Sequence, residues 1–192
     1  MSVKVKAGDL GGYRAGDAVG AAIRFIERDL LRREGRSRVN HYWVCVRGGY
    51  LIGQTPKAQI VEALLFDGVV KHRWCDGYSK ADLDRTVIQR PKNLGPTQIA
   101  RIVARANSYK GMKYGVGKIF LHLLHLQRWA RKDHMPICTW VAAMAYQAAG
   151  LDFGKPAQYI GPDDIDDFAR NNPDKYEIVK DLAPRFLAKN GG

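Results

Sequence analysis

Three residues have the types that nucleophilic amide chemistry requires: Cys138, His41 and Glu62. A hydrolase that works through sulfur needs a thiolate, an imidazole within hydrogen-bond reach and a polar group that orients the ring. Cys138 lies in Met135-Pro136-Ile137-Cys138-Thr139-Trp140-Val141-Ala142-Ala143, a stretch that reads as the start of a buried helix running to Gly150. At that position a thiol faces unpaired backbone N–H groups and the positive end of the helix dipole, both of which favour the thiolate. His41 sits within Val39-Asn40-His41-Tyr42-Trp43-Val44-Cys45-Val46, a run otherwise suited to burial. Glu62 interrupts the apolar run Gln59-Ile60-Val61-Glu62-Ala63-Leu64-Leu65, where an unpaired carboxylate would be costly. Taken singly, each residue has an ordinary structural role: an apolar filler, a hydrogen-bonded core histidine, an edge carboxylate. Together they make a candidate triad.

The elements that must hold these residues follow from periodicity and turn chemistry. Asp17 is placed to cap a first helix, with Val19, Ala22, Ile23, Ile26 and Leu30 at helical spacing. The His41 strand follows, and Gly48-Gly49 predicts a hairpin into Tyr50-Leu51-Ile52. The Glu62 strand closes at Asp67-Gly68, from which Val69 to Trp74 returns, and Arg85 to Arg90 makes a further strand before Pro91. Connections this short predict an antiparallel meander, with the His41 and Glu62 strands as neighbours. The second half reads as helical: one helix opening at Gly95-Pro96-Thr97 and ending at Gly111, another over 117–129, the Cys138 helix, and a short acidic one from Pro162. Lys175 to Lys180 reads as a last strand. One α+β domain spanning 1–192 is the simplest parse.

Composition bounds the chemistry. The chain has 192 residues, 46% hydrophobic and 26% charged, enough to bury a core. No run of about 18 apolar residues predicts a membrane span, and Met1-Ser2-Val3-Lys4-Val5-Lys6 lacks a signal segment. A cytoplasmic location is the default expectation, with a phage particle or non-classical export as alternatives. Three cysteines, Cys45, Cys75 and Cys138, cannot all pair within one chain, which points to reduced thiols. The net charge of +12 favours anionic partners, an anionic polymer or a membrane surface, through basic clusters at 24–38 and 128–132. Neither cluster carries a nucleic-acid recognition motif.

The order of short motifs resembles a known family. Gly16-Asp17, Asn40-His41-Tyr42-Trp43-Val44, Val61-Glu62-Ala63, Gly111-Met112-Lys113-Tyr114, Ile137-Cys138-Thr139-Trp140-Val141 and Gly161-Pro162-Asp163-Asp164-Ile165 follow one another as in the permuted papain-like enzymes of the NlpC-like superfamily. There the histidine strand precedes the cysteine helix, and lecithin retinol acyltransferase is a distant relative with the same order. The resemblance covers a core of about 14–170. It implies a circularly permuted papain-like fold, an antiparallel curved sheet or barrel packed against the cysteine-bearing helix. Cys138 would be the nucleophile, His41 the general base and Glu62 the residue that holds the imidazole. The backbone N–H of Cys138 would serve the oxyanion hole, with Tyr114 contributing its hydroxyl. Three positions depart from the family pattern: Thr139-Trp140 replaces Ser-Glu after the cysteine, Gly115 replaces Asp after the tyrosine, and Asn40 replaces Ser before the histidine. A bulky Trp140 at that place would narrow the pocket or wall an acyl chain. The activity implied is cleavage of an amide in a peptide, a peptidoglycan stem peptide or a lipid-linked substrate, without cofactor or metal.

Three readings compete with it. His122, His125, His134 and Cys138 are types that zinc accepts, although their spacing matches no compact zinc motif. A non-catalytic basic binding module on the same fold would use the +12 charge alone. A thiol acyltransferase would use the same thiolate on lipid, with water excluded from deacylation.

Overall fold

The computed structural model describes residues 2–16, 38–64, 68–74, 79–113 and 137–187. Its strands are β1 (Lys4–Val5), β2 (Leu10–Tyr13), β3 (His41–Arg47), β4 (Gly49–Tyr50), β5 (Gln59–Leu64), β6 (Gly68–Trp74), β7 (Thr86–Pro91) and β8 (Tyr176–Lys180). The helices are α1 (Lys80–Asp84), α2 (Pro96–Ser108), α3 (Cys138–Gln147), α4 (Pro162–Asn171) and α5 (Pro184–Leu187). Six strands form one antiparallel sheet in the order β6-β5-β3-β2-β7-β8, and β1 pairs with β4 in a two-stranded sheet. The architecture is α+β, and the main sheet is open, ending at β6 and β8 rather than closing into a barrel.

Two expectations need correction. The meander runs only through β3, β5 and β6; β7 lies on the other side of β3, separated from it by β2. The sequence conceals β2 because Leu10-Gly11-Gly12-Tyr13 holds two glycines and no β-branched residue. The tertiary structure explains Gly11: a Cβ there would come within 2.0 Å of the Trp43 ring on the neighbouring strand, so only glycine lets β2 pass under the indole. The turn at Gly48-Gly49 does not fold Tyr50 back onto β3. Tyr50 pairs instead with Lys4 of β1. The helix read from Asp17, the helix read over 117–129, and Pro136 lie outside the described residues.

The β-alternation of β3 sorts its side chains between two cores. Tyr42, Val44 and Val46 join Val61 and Ala63 of β5 against Ile102 and Ala106 of α2 and Val141, Ala142, Ala145 and Tyr146 of α3. Trp43 and Cys45 face the other way, into a cluster with Val3, Val5, Leu51, Ile60, Leu83 and Ile88. The larger core clamps α3 against the sheet. The Tyr146 hydroxyl fastens the far end of that helix by donating to the Gly8 carbonyl at 2.6 Å, and Gly150, at φ +78°, supplies the left-handed stop. Among the described residues, no helix is long and apolar enough to cross a membrane.

Asp166 of α4 is fully buried and ties the C-terminal third to the sheet. It accepts hydrogen bonds from Gln89 Nε2 at 2.8 Å, Arg170 Nε at 3.0 Å and Arg38 Nη1 at 3.2 Å, while Arg170 also forks onto Asp181. Removing the carboxylate strands a buried amide and a half-buried guanidinium. Asp166→Ala should therefore lower the unfolding free energy by about 3 kcal/mol, read as a fall in the denaturant midpoint at unchanged slope.

Candidate active site

His41 opens β3. The pairing of β3 with β5 begins two residues later, where Trp43 lies opposite Glu62, so His41 sits beyond the last rung that joins the two strands. Its ring reaches Glu62, one diagonal step across the strand pair, and interacts with the cysteine at the start of α3. His41 Nε2 donates to Glu62 Oε2 at 3.0 Å, with side chains only 17% and 6% exposed. With Nε2 committed to the carboxylate, Nδ1 is the nitrogen left for the thiol.

Cys138 is the first residue of α3 and is 8% exposed. Ile137 holds the N-cap position without a side-chain cap, so no capping oxygen satisfies the first-turn N–H groups. Burial pushes the Cys138 thiol up, but its hydrogen bond to His41, the positive charge on that ring, and the N–H groups of Tyr42 and Thr139 outweigh it and hold the thiol below its ordinary value. Burial works to lower the His41 imidazole; the hydrogen bonds and negative charges of Cys138 and Glu62 overcome this and hold it at about 10. Near neutral pH the ring therefore carries its proton, and it stands between a carboxylate and a thiol held below its ordinary value. Three expected residues thus meet from two strands and a helix. Cys45 offers the contrast: also reduced and buried, it donates its S–H to the Arg47 carbonyl at 3.3 Å.

The residues flanking His41 and Cys138 are held by partners of their own. Asn40, buried just ahead of His41, accepts the Ala15 N–H at 2.7 Å and donates to the Ala15 carbonyl at 3.2 Å, while its own N–H bonds the Tyr13 carbonyl. This clamp fixes where β3 begins. The sequence signalled it only as an unusual residue before the histidine. Thr139 donates its hydroxyl to the Ile160 carbonyl at 2.8 Å and so fastens the start of α3 to the turn ahead of α4. Trp140 is half-buried, its ring 5.0 Å from that of Tyr109 at the end of α2, and the Arg105 guanidinium lies over Tyr109 at 4.8 Å. Tyr114, expected near the oxyanion position, lies outside the described residues, as do Cys75, His122, His125 and His134. Most of both basic clusters lies there too. Among the described residues, no group of three or more His, Cys, Asp and Glu is arranged to hold a metal ion.

No family model matches the chain, and no curated protein does. Among solved structures, it is similar to the crystal structure of the metalloprotein yiiX from Escherichia coli O157:H7, at 20% identity and a TM-score of 0.49, over 78% of this chain and 69% of that one.

Proposed function

We propose that the chain is a cysteine hydrolase that cleaves an amide bond through Cys138, His41 and Glu62 on a circularly permuted papain-like scaffold. The observation that carries this reading is the buried His41 Nε2–Glu62 Oε2 hydrogen bond beside a thiol at a helix start that the same imidazole holds below its ordinary value. The histidine strand preceding the cysteine helix supports the permuted order.

The chemistry follows from the charge state. The Cys138 thiolate attacks the carbonyl carbon, forming the C–S bond and placing negative charge on the carbonyl oxygen. The N–H groups at the start of α3, that of Cys138 among them, are the donors for that oxyanion. The His41 imidazolium then protonates the departing amine as the C–N bond breaks, leaving a thioester. The neutral ring next takes a proton from water as its oxygen attacks the thioester carbonyl; the C–S bond breaks with its electron pair on sulfur, the carboxylic acid leaves, and the thiolate and imidazolium are restored. Glu62 holds the ring through both proton transfers and balances its charge. The same thioester passed to an acceptor other than water would make the protein an acyltransferase. Peptides, peptidoglycan stem peptides and lipid-linked amides are the substrate classes that this chemistry suits.

The test is intact mass. Protein quenched during turnover of a candidate amide should gain the mass of the acyl group, mapped to Cys138 after digestion, and Cys138→Ala should gain nothing. Stoichiometric zinc held through Cys138 in the purified protein would sink the proposal.

A further inference from the structure

The turn that fastens to the start of α3 carries an outward-facing aromatic ring. A single 3₁₀ turn, Ala157–Tyr159, follows Pro156 and is closed by the Tyr159 N–H bonding the Pro156 carbonyl at 2.9 Å. Ala157 and Ile160 are buried on either side, and the Ile160 carbonyl accepts the buried Thr139 hydroxyl. Tyr159 is therefore one peptide bond from an atom that touches the neighbour of Cys138. Its ring is 40% exposed, and among the described residues it is the one large hydrophobic side chain left in solvent. Among the described residues, no hydrogen bond, ring contact or ion pair of its side chain accounts for the ring there. A lone exposed aromatic is ordinary on a protein surface; this one stands on a turn fixed from both sides and clipped to the nucleophile's helix.

We propose that Tyr159 is a specificity-determining residue, a platform at the rim of the Cys138 site that selects amides bearing an apolar or aromatic group on the acyl side. The proposal rests on the hydrolase reading and names the substrate class for it. The amine leaving group must face His41 on β3 to receive its proton, so the acyl group projects away from that strand. The 157–160 turn is bonded to the start of α3 through Thr139 and Ile160, and a planar phenol ring offers an apolar face without a long, floppy side chain.

The test uses thiol probes and needs no identified substrate. Chloroacetamide and N-benzyl chloroacetamide react alike: the thiolate attacks the CH₂ carbon, the C–S bond forms, and chloride leaves with the C–Cl electron pair. Rates at Cys138 are read by digestion and mass spectrometry, and each is divided by the rate of the same reagent on glutathione. In the wild-type protein the benzyl reagent should be favoured about fivefold over its parent after that correction. Tyr159→Ala should bring the ratio to about one while leaving the parent reagent's rate unchanged, and Tyr159→Phe should keep the preference. A wild-type ratio of one, or a preference that survives in Tyr159→Ala, would overturn the proposal and leave the hydrolase reading standing. A Cys138 that labels no faster than Cys45 and Cys75 with the parent reagent would overturn both.

Discussion

Replacing His41 with alanine should raise the pH midpoint of Cys138 alkylation from below the ordinary thiol value of about 8.5 to above it. Two opposed influences act on the sulfur. Burial raises the thiol, while the imidazole's hydrogen bond and charge lower it together with two backbone N–H groups. The alanine variant keeps the burial and the N–H groups and loses the larger stabilising pair. A thiol titrating at 8.5 or higher is only a few per cent thiolate at pH 7, so iodoacetamide labelling there should slow by about tenfold or more. Cys45 supplies the internal control, because it donates its S–H to the Arg47 carbonyl. Its labelling should be the same in both proteins. An unshifted Cys138 midpoint would mean that the helix start alone activates the sulfur, and the catalytic assignment of His41 would fall.

The sequence made the candidate site legible and left part of its structural support hidden. His41 and Glu62 stood out because each is a residue type whose burial is costly without a partner and each sat inside an otherwise apolar run, and Cys138 stood out by its place at a helix start. The helix start at Cys138 and its stop at Gly150 were readable from local signals, since N-terminal position and a left-handed glycine are set by neighbours in the chain. β2 was not readable: its glycines report close passage beneath Trp43, a contact with a residue 32 positions away. Without β2, the order of the sheet could not be deduced, because the short connections alone favoured a continuous meander. Asn40 and Thr139 were visible only as departures from a family pattern. Their roles depend on the Ala15 peptide and the Ile160 carbonyl, partners that no periodicity announces. Trp140 was expected to narrow the pocket or wall an acyl chain; its ring lies 5.0 Å from that of Tyr109 just past the end of α2, and Tyr159, silent in the sequence, is exposed on the turn bonded to the start of α3.

Glu62→Gln should cost stability in a way that depends on pH, and the dependence identifies the charge as the cause. The His41 imidazole stands at about 10 in the folded protein, against an ordinary value of 6.5. A group raised on folding contributes stabilisation that is fully present below its unfolded value and is lost as pH rises through its folded value. The part owed to Glu62 is therefore complete below about pH 6.5, declines across the interval from there to about 10, and is absent above it. Glutamine keeps the shape and can accept the Nε2–H at the same 3.0 Å, but it supplies no charge to the buried imidazolium. The loss should be about 2 kcal/mol at pH 6 by denaturant unfolding, within the range for removing one partner's charge from a buried hydrogen-bonded pair. At pH 10.5 the two proteins should unfold at nearly the same denaturant concentration. A gap that stays constant from pH 6 to pH 10.5 would assign the contact to hydrogen bonding and packing alone, with His41 neutral throughout. In that case the thiolate at Cys138 would have to be sustained without an imidazolium, and the leaving amine would lack its proton donor.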